Sequence, residues 1–538
     1  MNPEPLHVIS TNSATESHGQ LLKQDLPQFR KVMLVFFLGL AVFTVLATRG
    51  GVGLSTAFWV ILAPAGLCGL LLFLLVTNRH PSYARDLSES MLTGGDAAPG
   101  DTGSFRRSSW LDLMPDGYFV EGLLVFNGLG PGGWVAKGFW LGVPDLLLAS
   151  DEERDRLLAQ VRRLLRFLPK DYRLQVRWWV DSDYHAALVR QQARTAQTDN
   201  AEAQRENNFA ILQFVDLMKR DALRRQHLAL FVSRRVADKP GVPCPPPKAE
   251  QLYGDRLAAL QTEFAELGRN LQTLFAAVGG NVTPMTDADH HRLLFHALNP
   301  SLAHRPGSDH QAAFDPRRSI LDLCLRSQLR GRGRRGFWLD DYEHGVLVLS
   351  RWPAQVFSTI MHRLTLLPFN DYTITVQTRK LPVAELLART QRELDRLNTL
   401  LAAKPDARVQ VTKEKLEERI QRLTQGEQVP LATELIIVVR ARNPEALSER
   451  MLAIKSALHG LGGAEYVEGL SAFSKNCFFK TLPGCSWIPH RGYELFGEED
   501  VVGAMLPLSC SFNAHLDSAE AIYLGTHGNL VGLRTFTV

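Results

Sequence analysis

The sequence predicts an α+β protein: an N-terminal two-helix transmembrane hairpin, followed by a duplicated cytosolic α+β region with long helices. Three observations carry this reading. Residues 32–78 hold two apolar stretches separated by Arg49 and a glycine-rich turn. Behind them the order strand, helix, Leu-Pro, strand, long helix, strand, helix occurs twice. Both copies also share a signature, Leu168-Pro169-Lys170-Asp171-Tyr172 in the first and Leu367-Pro368-Phe369-Asn370-Asp371-Tyr372 in the second. An internal duplication explains the repeat, with a coincidence of common elements as the alternative.

Residues 1–31 form a polar tail, expected to be cytosolic. The first apolar stretch runs from Val32 to Thr48 between Lys31 and Arg49; the second spans Gly50–Asn78 and is densest at Phe58–Val76. A bilayer core needs about 20 apolar residues, with a lower limit of about 17. The second stretch meets this comfortably and the first sits at the limit. The short turn Arg49-Gly50-Gly51-Val52-Gly53 makes the pair an antiparallel hairpin, and Pro64 is tolerable inside a membrane helix. Lys23, Arg30 and Lys31 before the hairpin, and Arg79, Arg85, Arg106 and Arg107 after it, outnumber Arg49 in the turn. The excess of basic residues places both termini and the bulk of the chain in the cytoplasm. A signal peptide or two buried soluble helices are the alternatives; the long polar stretch ahead of Val32 argues against the first.

Residues 79–116 read as a flexible linker, with Gly94, Gly95, Asp96, Pro99, Gly100, Asp101 and Gly103. The first α+β half is 117–283. Gly117–Phe126 reads as a strand, and Ser150 with Glu153 forms a capping box for a helix ending near Phe167. Tyr172–Val180 is a strand, Ser182–Arg225 one long helix, His227–Arg234 a strand and Lys248–Ala277 a helix. The second half is 284–480. It has a strand at His344–Trp352, a helix from Pro353 to Leu367, and a strand at Tyr372–Thr378. Helices at Ala384–Ala403 and Lys413–Gln425, a strand at Glu434–Arg440 and a helix at Asn443–Leu461 complete it. Residues 481–538 form a last segment that begins with Leu-Pro-Gly.

At 538 residues the chain has room for roughly three to four domains. Its 45% hydrophobic and 22% charged content excludes a wholly disordered chain and a polytopic transporter. A net charge of +4 is too small at this size to announce a nucleic-acid binder. Cys68, Cys244, Cys324, Cys477, Cys485 and Cys510 contain no C-x-x-C and no zinc-like spacing, so those outside the membrane stretch are expected as free thiols.

Catalytic motifs are scarce. No Gly-Lys dipeptide occurs, so no phosphate-binding loop is present, and neither H-E-x-x-H nor G-x-S-x-G is found. Gly128-Leu129-Gly130-Pro131-Gly132-Gly133 follows a strand, but its proline and the lack of a helix behind it make it a loop. Asp181, Ser182, Asp183 and His185 read as a helix-capping cluster rather than a metal site. His290, His291 and His296 share a helix begun by Thr286-Asp287-Ala288-Asp289 and are expected on the surface or partly buried. The one compact basic run, Arg330, Arg332, Arg334 and Arg335 with Arg326 nearby, offers contacts to nucleic-acid phosphates or anionic headgroups. A solvated loop is the other reading; Phe337 and Trp338 beside it favour contact.

The segment Phe478-Phe479-Lys480-Thr481-Leu482-Pro483-Gly484, then Arg491, Ala504-Met505-Leu506-Pro507-Leu508 and Gly525-Thr526-His527-Gly528, follows a two-part α+β region. Together, over roughly residues 110–538, these resemble the N-terminal region of the CagE/TrbE/VirB family, the inner-membrane ATPases of type IV secretion and conjugative DNA transfer. The hairpin resembles the small two-helix inner-membrane subunit of the same machines, which in some systems is fused ahead of the ATPase. The family's ATP-binding half is missing, so the motor is expected either as a separate polypeptide or as lost by truncation. The resemblance implies an anchoring and docking component at the bacterial inner membrane and no catalytic, cofactor or metal residue in this chain. ATP and magnesium are implied only for the motor. Expected partners are the membrane, other inner-membrane subunits, the motor and further copies in an oligomer. The alternative function is a membrane-tethered nucleic-acid-binding protein using the arginines at 326–335.

Overall fold

The computed structural model describes residues 9–10, 113–114, 116–129, 133–144, 149–236, 246–303, 314–315, 318–331, 336–403, 407–488, 493–509, 516 and 518–534. The apolar stretches at 32–78 lie outside the described residues, as do most of the tail and linker around them. Among the described residues no helix is long and apolar enough to cross a membrane. The expected fold class, a transmembrane hairpin before a duplicated region, is corrected accordingly. The described residues form a 13-stranded antiparallel sheet with helices on both faces, and two separate two-stranded pairs.

The first half contributes β1 (Gly117–Val120), β2 (Leu123–Phe126), β3 (Trp134–Gly142), α1 (Asp151–Phe167), β4 (Tyr172–Asp181), α2 (His185–Thr195), α3 (Ala201–Lys219), β5 (Arg225–Arg235), α4 (Pro246–Ala276), β6 (Asn281–Pro284) and α5 (Asp287–Leu298). After α6 (Ile320–Cys324), the second half gives β7 (Leu329–Gly331), β8 (Phe337–Leu339), β9 (Tyr342–Arg351), α7 (His362–Thr365), β10 (Tyr372–Lys380), α8 (Val383–Ala403), α9 (Ala407–Thr424), β11 (Pro430–Ala441), α10 (Pro444–His459), β12 (Glu465–Glu468) and α11 (Ser471–Thr481). The chain continues through β13 (Leu495–Glu498), α12 (Glu499–Ala504), β14 (Ala521–Leu524) and β15 (Leu530–Leu533).

The sheet order is β1-β2-β3-β5-β4-β10-β11-β9-β8-β7, with β6 on β3, β12 on β9 and β13 on β11. From either edge inward one meets a hairpin, then the first, third and second long strands of that half. The halves meet where β4 pairs with β10, and Val176 stands opposite Val376. These two residues lie equally far beyond Tyr172 and Tyr372 of the shared signature, so a pseudo-twofold axis passes between them.

Several elements differ from expectation for local reasons. Gly117–Phe126 is a hairpin, because Glu121 (φ 50°) and Gly122 (φ 77°) make the two-residue turn with positive φ that such hairpins prefer. The expected single helix over 182–225 is two, since Asn200 caps a new start by accepting from the Glu202 and Ala203 N–H groups. The helix expected from Pro353 reduces to the short α7. Strand β3, directly behind the glycine-rich loop, is a central strand that the sequence reading did not identify. The capping boxes of α1 (Ser150, Glu153) and α5 (Thr286, Asp289) form as their spacing requires.

One face of the sheet is apolar throughout. Leu174, Val176 and Trp178 of β4, Ile374 and Val376 of β10, and Leu435, Ile437 and Val439 of β11 pack with Val161 and Leu164 of α1, Phe264 and Leu271 of α4, and Ile454 of α10. Each such side chain contributes about 1.5–3 kcal/mol through burial. The opposite face is covered by α5, α6, α11 and the chain after α11. There the central strands present polar residues, and this asymmetry positions the site.

Candidate binding cleft on the polar face of the seam

Alternation along a strand sends every second residue to the same face. On the polar face β4 therefore presents Arg173, Gln175, Arg177, Trp179 and Asp181, β10 presents Thr373, Thr375 and Gln377, and β11 presents Glu434, Ile436, Val438 and Arg440. Buried polar groups need partners. The segment after α11 supplies them at one end of this row. Gln175 Nε2 donates to the carbonyls of Lys480 (3.0 Å) and Leu482 (3.1 Å), and its Oε1 accepts from the Gly484 N–H at 3.0 Å. Gln377, directly opposite, also donates to the Lys480 carbonyl at 2.8 Å. Lys480 Nζ pairs with Glu434, both side chains being almost fully buried. Ser233 and Ser486 share a hydrogen bond at 3.0 Å, and Trp487 stacks on Trp134 at 5.3 Å.

The residues Phe478, Phe479, Leu482, Pro483 and Gly484 are thus a buried plug over the seam. Gly484 has φ +73° and lies so close to the sheet that a Cβ would stand 2.8 Å from Ala136 Cβ and 2.9 Å from Leu124 Cδ1. Only glycine fits this backbone and this contact. Arg491 lies outside the described residues.

Beside the plug the polar face opens into a cleft of about 70 Å³ lined by Arg177, Trp179, Asp181, Asp183, Asp371, Thr373 and Arg440. Leu293, His296, Ala297, His344, Val438, Phe478 and Thr481 complete its main walls. Most of the charges are matched. Arg440 donates to Asp371 from Nε (3.0 Å) and a terminal nitrogen (2.9 Å); burial opposes its charge, but Asp371 outweighs burial and raises its pKa. Burial also works against ionisation of Asp181. His227 at 3.1 Å, Arg225 and the Asp183 N–H outweigh it and hold the carboxyl well below the usual range. His344 is neutral at physiological pH: burial first, then the Arg440 cation, pushes its pKa down to about 3.

Arg177 is the exception. The residue is 8% exposed, and among the described residues it has no hydrogen bond and no ion pair; its Nε is buried without a partner. Its one directed contact is the face of Trp179, 5.1 Å from the guanidinium carbon. Burial, and then the neighbouring Arg440, pushes its pKa down to about 9. Thr375, directly across the ladder, likewise keeps a buried Oγ1 with no partner.

The basic run does not assemble into a site among the described residues. Exposed Arg326 donates to the carbonyls of Asp322 (2.7 Å) and Leu325 (3.0 Å), closing its own helix end. Arg330, on the edge strand β7, donates to Gln328 just before it. Arg332, Arg334 and Arg335 lie outside the described residues. Phe337 is buried, stacked on His344 at 4.9 Å, and is not a nucleic-acid contact surface. His290 and His291 are also buried, against the expectation of surface or partly buried positions; His290 Nε2 accepts the Gly138 N–H at 3.1 Å. Asp181 and Asp183 pair with His227 and the local backbone, and no group of metal-binding side chains occurs among the described residues.

Sequence reasoning missed Gln175, Gln377, Glu434 and Arg177. The available signal was the matching row of polar residues at alternate positions in both central strands. No protein-family model and no curated protein matches the chain.

Proposed function

We propose that this chain is a docking component of a type IV secretion or conjugative DNA-transfer machine at the bacterial inner membrane, resembling the non-motor region of its ATPase. The single observation that carries the reading is the pair of helical arms hanging from equivalent crossovers. Helices α2 and α3 join β4 to β5, and α8 and α9 join β10 to β11. Both arms expose large apolar side chains: Val189, Phe209 and Leu212 on the first, Val383, Leu400 and Val411 on the second. Apolar side chains left in water on otherwise polar helices suit contact with protein partners. The plug holds both halves together at their seam, so the arms keep a fixed spacing and a partner engaging both would be oriented. The reading assigns ATP and magnesium to a partner motor, since no phosphate-binding loop occurs in this sequence.

The test is affinity purification of the full chain from its native membranes, compared with a Phe209→Ser/Leu212→Ser variant of intact fold. The reading expects secretion-machine subunits and a P-loop ATPase with the wild type and their loss with the variant. ATP hydrolysis by the purified chain alone, or salt-dependent DNA binding through Arg326 and Arg330 in place of protein partners, would contradict it.

A further inference from the structure

A guanidinium withdrawn from water is costly unless an anion compensates it. Arg177 is more than nine-tenths buried, lines the seam cleft, keeps a buried Nε without a partner, and has no carboxylate and no hydrogen bond among the described residues. Other charged groups of the cleft have partners, as Arg440 with Asp371 and Asp181 with His227 illustrate. The guanidinium lies over the Trp179 ring, which also lines the cleft, so an anion entering there meets it.

The surrounding chemistry narrows the ligand. A planar guanidinium matches a carboxylate bidentately. Asp181, Asp183 and Asp371 line the cleft and repel a multiply charged phosphate, whereas a single negative charge is compensated by Arg177. The walls at Leu293, Ala297, Val438 and Phe478 are apolar. We propose that the Arg177 cleft binds a monocarboxylate carrying a short apolar body, either a free acid or the C-terminal carboxylate of a peptide. Arg177 holds the carboxylate and the apolar walls receive its body.

Thermal denaturation and calorimetric titration of the full chain test this with isobutyrate, N-acetyl-Gly-Val, the C-terminal amide of that peptide, and inorganic phosphate at matched ionic strength. The proposal expects a saturable rise in Tm with the carboxylates and none with the amide or phosphate. A peptide binding at least tenfold tighter than isobutyrate assigns the ligand to a peptide terminus; equal binding assigns it to a free acid. Arg177→Met should fold, with a Tm at or above that of the wild type, and lose the response. No saturable binding to the wild type, equal binding to Arg177→Met, or phosphate acting as well as the carboxylates would overturn the assignment.

Discussion

Gln175 and Gln377 stand directly opposite each other in the β4–β10 ladder, and both donate to the Lys480 carbonyl, at 3.0 and 2.8 Å. One residue from each half thus grips the same atom of the plug. Their contributions are unequal, because Gln175 alone also serves the Leu482 carbonyl and the Gly484 N–H. Gln175→Leu should cost about 2–3 kcal/mol and Gln377→Leu about 1 kcal/mol, since buried groups left unpaired carry the larger penalty. Urea denaturation midpoints measure this order. The double variant should lose more than the sum, because only then is the Lys480 carbonyl left bare.

The Lys480–Glu434 pair has side chains only 4% and 6% exposed. Removing one partner strands the other charge. Lys480→Met alone should cost about 3–5 kcal/mol, whereas Lys480→Met with Glu434→Leu should recover much of it. A double-mutant cycle by denaturation reads the coupling directly. Additive losses would mean that the pair is not formed.

Gly484 and Gly426 share positive φ, +73° and +72°, but differ in surroundings. A Cβ at 484 meets Ala136 and Leu124 below 3 Å, while at 426 it meets open space. Gly426→Ala should cost about 1 kcal/mol for backbone conformation alone. Gly484→Ala adds overpacking of about 1–3 kcal/mol and should unseat the plug. Near-UV circular dichroism of the stacked Trp134 and Trp487 reports the seating separately from global stability.

Acid should destabilise the fold through its buried histidines. Burial is the largest cause that pushes both His290 and His344 down to about 3. Unfolded histidine titrates near 6.5. Between these values the unfolded chain binds protons that the folded chain refuses. The stability is therefore complete above about pH 6.5 and lost as pH falls toward 3, by up to about 1.4 kcal/mol per pH unit for each histidine. His344→Asn should flatten the acid limb by one proton's slope in denaturation curves recorded from pH 7 to 4. An unchanged slope would exclude His344 as a contributor.

Much of the strand and helix content was legible because local signals carry it. The capping boxes at Ser150 and Thr286 and the alternation at Tyr172 and Tyr372 need no tertiary context. The joining of the halves into one sheet was not legible, since strand pairing between β4 and β10 leaves no mark in either sequence alone. The cleft escaped for a related reason. Alternation in YRLQVRWWV gave one apolar and one polar face, and a polar face normally meets water; here the plug covers it, so Gln175 and Arg177 are buried. The break at Asn200 was hidden because it uses neither proline nor glycine. The Phe478–Gly484 segment stands out in the sequence, but its burial at the seam depends on Gln175 and Glu434, which are remote in the chain.

The central claim, that this chain serves a secretion or conjugation machine as a docking component, is tested most directly by DNA-transfer frequency from donor cells lacking it. The account predicts that transfer falls to background, that the wild-type chain restores it, and that Phe209→Ser/Leu212→Ser, folded but altered on one arm, does not. Transfer undiminished by the deletion would contradict it.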